Sequence, residues 1–142
     1  MTAKEYLTRY RWITKSIEAK RAMASKLREQ ARTVGGVNSA GTHSSQPYDR
    51  IGEITAKIVD LEREINEEIA RSIDAGREIR ALITVIPDER GKVLFELYYL
   101  NCLSLERAAE KLDLSYRQIL RLHKKYLSFC ENVLECHITP VL

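Results

Sequence analysis

The chain has 142 residues, 44% of them hydrophobic and 30% charged, with a formal net charge of +3 at pH 7. Such a length holds one ordinary domain or two small ones, and that apolar content excludes a disordered chain, which lacks the side chains needed to offset ordering entropy. No stretch approaches the roughly 20 apolar residues of a membrane span, and the opening MTAKEYLTRYRW carries charges where a secretory signal needs an apolar run, so a cytoplasmic protein without membrane association is expected.

The first predicted element is a helix ending near Val34. Along it Tyr6, Tyr10, Ile13, Ile17, Ala24, Leu27, Ala31 and Val34 recur at alternating spacings of three and four, a heptad seam interrupted only by Lys20. Gly35 and Gly36 end it, and the small, polar run VNSAGTHSSQP predicts a flexible loop over 35–48. A second seam follows in Ile51, Ile54, Ile58, Leu61 and Ile65, passes through Glu68, Ser72 and Ala75, and resumes at Ile79, Leu82 and Ile86. A polar residue at Glu68, with Ile69 and Ile73 off the seam, predicts a register shift or a change of partner there. Asp49 can cap this helix, and Pro87 ends it, because the residue before a proline avoids helical angles. A helix over 49–85 is expected.

Residues 1–33 hold nine basic and three acidic side chains, a balance of +6, whereas 49–86 hold six basic and nine acidic, a balance of −3. Oppositely charged helices joined by a loop predict an antiparallel, coiled-coil-like hairpin over 1–86, serving as scaffold or oligomerisation arm. A single helical pair is a thin core, so a homodimer is expected. Trp12 is read as a packing residue.

From Pro87 the pattern changes. Pro87 suits the first turn of a helix, and Asp88 and Glu89 complement its dipole, with Val93, Leu94, Leu97, Tyr98 and Leu100 as its buried side. Beyond a turn at Asn101 and Cys102, Ser104 is a natural N-cap for a short helix over 105–112. In that helix the small Ala108 and Ala109 would permit a close crossing, while Leu105 and Leu112 anchor it. Asp113, Leu114 and Ser115 form the next turn. Ser115 with Gln118 reads as a capping box opening a helix over 116–128. On that helix Ile119, Leu122 and Tyr126 share one face, and Tyr116, Arg117, Gln118, Arg121, Lys124 and Lys125 lie opposite; the run 115–126 contains no acid. A recognition helix places its N-terminal side chains against base edges and its basic flanks against phosphates. The pieces divide the chain into 1–86, a helix-turn-helix over 87–129, and a tail over 130–142 that either packs back or is exchanged between subunits.

The run from Pro87 to Tyr126 resembles region 4 of sigma-70-family factors: a helix, a short turn, an LxxxA-type helix, a small turn and an arginine-rich reading helix. The whole chain is similar to small phage-encoded proteins of Gram-positive bacteria, the sigma-like or late-gene regulators of the RinA and ArpU kind. The resemblance implies an all-α protein that binds double-stranded DNA. It implies base-reading roles for Tyr116, Arg117, Gln118 and Arg121, and contact with the DNA backbone for Ser115, Lys124 and Lys125. The chain departs from the pattern at Asn101 and Cys102, where many relatives have glycine, and at Leu120, where an exposed polar residue is usual and which could serve a dimer surface. It has no aromatic-rich counterpart of the promoter −10 reader, so a complete sigma factor is not expected.

Cys102, Cys130 and Cys136 are odd in number and irregularly spaced, which predicts free thiols rather than a disulfide framework. With His123 and His137 they show no recurrent zinc-ligand spacing, so no metal or cofactor is expected. No histidine has the nucleophile-and-base company of catalysis, and no enzyme is expected. The expected function is sequence-specific regulation of transcription, of phage late genes; the alternative is an interaction protein that engages host RNA polymerase or another regulator without reading DNA.

Overall fold

The computed structural model describes residues 1–36 and 46–138. It is all-helical, with no strand among the described residues. The order is α1 (Ala3–Gly36), α2 (Gln46–Thr84), α3 (Glu89–Phe95), a π-helical segment (Glu96–Leu100), α4 (Leu105–Leu112) and α5 (Tyr116–Ile138). No described helix is long and apolar enough to cross a membrane. Helix α1 runs two residues past Val34, and α2 opens three residues before Asp49, which therefore sits in its first turn rather than capping it. Of the loop expected over 35–48, residues 35–36 and 46–48 are helical, and 37–45 lie outside the described residues.

Two compact units are present, one made of residues 1–12 and 72–142 and the other of 13–71. This division is drawn differently from the expected 1–86, 87–129 and 130–142.

In the 13–71 unit, Ile17, Ala24 and Leu27 of α1 and Ile54 and Ile65 of α2 are buried. The register shift expected at Glu68 does not occur. Glu68 occupies its seam position, 8% exposed, and its Oε1 accepts hydrogen bonds from the Ser16 hydroxyl and the Lys20 ammonium, both at 2.8 Å. The one interruption of the first seam thus meets the polar stretch of the second. Each polar group is tolerated because the other satisfies it. The Lys20 ammonium holds the Glu68 carboxyl below its usual range, with Ser16 assisting. Glu68 Oε2 has no hydrogen-bond partner. Farther along α1, Arg28 pairs with Glu62 at 2.7 Å. Partners rise along α1 as they fall along α2, and basic α1 faces acidic α2.

The other unit has one core, containing Ala3, Leu7, Ile79, Leu82, Ile83, Ile86, Leu94, Phe95, Tyr99, Ala108, Ala109, Ile119, Tyr126 and Cys130. The ends of α1 and α2 supply five of these, and Ile86 lies just beyond α2. Leu7 is fully buried while Tyr6 and Tyr10 pack at the edge, so the inward stripe at the start of α1 lies beside the one read from the sequence. The inward side of α3 also differs. Val93 is exposed, whereas Phe95 and Tyr99 are fully buried. For Tyr99 the reason is the π segment, closed by a bond from the Asn101 amide to the Glu96 carbonyl at 2.9 Å. Its wider turn rotates Tyr99 into the direction that an unbroken α-helix would give Tyr98. The expected tail is helical through Ile138, continuing α5, with Cys130 buried and Val133 and Leu134 packed on the core. Residues 139–142 lie outside the described residues.

Candidate nucleic-acid interface

Helix α4 starts on Ser104, whose Oγ accepts the Arg107 amide at 3.2 Å. It stops at Asp113, which adopts the left-handed conformation at φ 54° and donates its amide to the last turn. Aspartate tolerates that region better than most side chains. Ala108 and Ala109 are both buried; the Leu114 amide reaches the Ala109 carbonyl at 3.0 Å. Ser115 and Gln118 form a reciprocal capping box: the Gln118 amide donates to Ser115 Oγ at 3.2 Å and the Ser115 amide to Gln118 Oε1 at 2.9 Å.

This geometry bears on the expected site residues. Tyr116, Arg117, Gln118, Arg121, Lys124 and Lys125 are all exposed on the first half of α5, while Ile119 and Tyr126 of the same helix are buried. Ser115 is exposed as well, but its hydroxyl and the Gln118 carbonyl oxygen are already engaged in starting the helix. Gln118, Arg121 and Lys125 share a concavity of about 220 Å³ with Leu114, Leu122 and Arg90 of α3. Tyr116, Arg117 and Lys124 do not line it.

Arg90 was not among the residues selected from the sequence, because it looks like one more charge at a helix start. Its setting comes from Asp88, the N-cap of α3, with Pro87 just ahead of the helix rather than within it. Asp88 Oδ1 accepts the Arg90 amide at 3.1 Å and Oδ2 accepts the Tyr126 hydroxyl at 3.0 Å. The Arg90 amide is the main cause holding the Asp88 carboxyl below its ordinary range; the Tyr126 hydroxyl, Arg90 and Lys125 add to it. The Arg90 guanidinium lies 3.8 Å from Oδ2. Gly91 lets the Tyr126 ring lie against α3, since a Cβ there would stand 2.7 Å from two ring carbons.

Two further groups lie behind α4 and α5. His123 is half-buried among the rings of Phe95, Tyr98 and Tyr99, with its Nε2 2.6 Å from the Tyr99 hydroxyl. Burial, with a lesser contribution from Lys4, pushes the imidazole pKa down, and burial pushes the Tyr99 phenol up. A phenol donating to a neutral ring protonated at Nδ1 satisfies both groups. Arg11 of α1 donates through Nη2 to the carbonyls of Tyr98 at 2.5 Å and Leu103 at 3.2 Å, its guanidinium 4.3 Å above the Tyr98 ring. It thereby satisfies carbonyls around the turn into α4.

Cys102 takes the left-handed conformation, φ 58°, at the turn where the pattern that the sequence resembles has glycine. Cys130 is buried, which pushes its thiol up to about 11, and Cys102 and Cys136 are exposed. Trp12, read as a packing residue, is 65% exposed. Comparison of the chain with protein-family models, with curated proteins and with solved structures finds no match.

Proposed function

We propose that the chain is a cytoplasmic, sequence-specific DNA-binding regulator of transcription, built as a helical hairpin followed by a helix-turn-helix of the sigma-70 region 4 type, and that it acts by binding rather than by catalysis. The observation that carries this reading is the α4–turn–α5 unit. It has a short capped helix, a three-residue turn with a left-handed first residue and buried alanines, followed by a helix whose outward side is basic and free of acids through Lys125. A helix with that exposed side fits the major groove, where Arg117 and Arg121 can grip guanine edges bidentately and Tyr116 and the Gln118 amide group can reach neighbouring bases. Lys124 and Lys125 then meet phosphates. The chain functions as a homodimer, since a single helical pair is a thin core, and its targets are late genes of a phage, as the similarity of the whole chain to phage late-gene regulators implies.

The test is selection of bound fragments from the DNA around its own gene, followed by titration of the selected and scrambled duplexes at several salt concentrations. A preferred duplex bound with a steep salt slope supports the reading. The exposed Trp12 favours a second reading, an interaction protein that docks on host RNA polymerase or another regulator. That reading takes over if no duplex is preferred and a protein partner co-purifies in the presence of nuclease.

A further inference from the structure

The α3–α5 concavity collects three cations from two helices, Arg90, Arg121 and Lys125, with Gln118 at its edge. Beside it stands Asp88, whose carboxylate oxygens accept the Arg90 amide and the Tyr126 hydroxyl, with the Arg90 guanidinium 3.8 Å from Oδ2. Subtracting that one negative charge leaves a local excess of positive charge in a hollow shaped by Leu114 and Leu122. Three bonds and contacts fix the two walls against each other: the Asp88 cap, its bond to Tyr126, and the Tyr126 ring lying on Gly91. Lys125 is braced from below, its Nζ 5.3 Å from the Tyr126 ring centroid. Three cations against the single Asp88 carboxylate leave positive charge unneutralised at the hollow, and a tetrahedral oxyanion with several acceptor oxygens suits that arrangement.

We infer that this hollow holds one phosphate of the DNA backbone, gripped by Arg90 and Lys125, beside the groove in which α5 reads bases. The inference rests on the DNA-binding reading and deepens it. Arg90 becomes a phosphate ligand from outside the helix-turn-helix proper, and Asp88 becomes a positioning residue that aims it. The contact sets the angle at which α5 enters the groove, because a phosphate held between α3 and α5 is a fixed distance from the base edges under Arg117 and Arg121.

A methylphosphonate scan of the preferred duplex tests this. One position at which the neutral linkage weakens the wild-type protein roughly tenfold should cost Arg90→Gln nothing further, since the contact is already lost. Arg90→Gln should weaken preferred and scrambled duplexes by the same factor and make the salt slope shallower by about one unit, whereas Arg90→Lys should recover most of the loss. Arg90 is exposed, so these variants should melt as the wild type does, and circular dichroism checks that. If Arg90→Gln binds every duplex with unchanged affinity and slope while Arg117→Ala weakens the preferred site, the inference is overturned and the DNA-binding reading stands. If the wild type prefers no duplex and shows no salt slope, both fall together. Titrating inorganic phosphate against the free protein supplies the last arm. A saturating shift of the Arg90 and Gly91 amide signals at sub-millimolar phosphate would assign the hollow to a free phosphate and overturn the DNA assignment; no saturation is expected.

Discussion

Gly91→Ala sets two effects of opposite sign against each other. Alanine is favoured over glycine within a helix by about 0.5–1 kcal/mol, so the change would stabilise α3 if the position were open. It is not open: the new Cβ would stand 2.7 Å from Cδ2 and Cε2 of Tyr126 and 3.0 Å from Cγ2 of Ile86. Comfortable carbon contacts lie near 3.5–4.0 Å. The overlap with the ring is therefore close to an ångström on two atoms at once. The ring cannot simply swing aside, because Tyr126 is buried and its hydroxyl is tied to Asp88 only three residues before the glycine. Overpacking of this kind costs roughly 1–3 kcal/mol, so the clash outweighs the propensity gain and the net loss should be about 1–2 kcal/mol. Thermal unfolding followed by circular dichroism should show a Tm lower by several degrees. In a Tyr126→Val background only the 3.0 Å approach to Ile86 Cγ2 remains, and the same substitution should cost clearly less than in the native chain. A higher Tm for Gly91→Ala in the otherwise native chain would refute the packing described for α3 and α5.

Arg121→Ala should lower affinity for the preferred duplex by roughly 1–3 kcal/mol and relax sequence preference, in contrast with the uniform loss expected at Arg90; equal losses on preferred and scrambled duplexes would remove Arg121 from the base-reading set. His123 is held neutral in the fold, with its pKa below the ordinary 6.5. Its contribution to stability is therefore present above that value, falls as pH drops through it, and stops falling below the folded pKa, where both states are protonated. Urea titrations between about pH 7 and about pH 5 should show the decline, and His123→Gln should flatten it. Cys102→Gly relieves a left-handed residue at the cost of a freer unfolded chain, and should stabilise by roughly 0.5–1 kcal/mol; a lower Tm would show that the thiol has a packing role. Lys20→Met strands the Glu68 carboxylate in the seam and should lower stability. Lys20→Met with Glu68→Leu should restore it, because an apolar pair can replace a buried ionic one. Failure of the double variant to recover in urea denaturation would count against the layer as described.

Much of the fold was legible where a local rule acts alone. Ser104, Ser115 and Gln118 sit in the caps that their side chains predict, and Ala108 and Ala109 are buried. The heptad spacing located the inward residues of the 13–71 unit. What escaped was non-local. Lys20 and Glu68 each break an apolar stripe when read along one helix, and only their meeting across the pair makes them compatible. The π segment shifts Tyr99 by one position, and nothing in ELYYL announces a wider turn to a reader applying a 3.6-residue period. Helix α5 runs nine residues beyond Phe129 because Cys130, Val133 and Leu134 have a core to pack on. In the candidate site the exposed basic side chains were readable from spacing. Arg90 was not, since its role depends on Asp88 and Tyr126, 38 positions apart, closing one wall of the hollow against the other.

The Ala3 amide donates to Glu131 Oε2 at 2.7 Å across 128 positions of sequence, and Arg11 seals the carbonyls of Tyr98 and Leu103. Residues at the start of α1 thus wait for residues late in α5 before their bonds can close. Loop-closure entropy makes such pairings a late event in folding, so a nascent chain stopped before α5 leaves Leu7 and Phe95 without their cover. The same dependence exposes the unit to proteolysis at its edge: cleavage early in α1, just past Arg11, removes that residue and uncovers the turn into α4 without cutting α4 or α5.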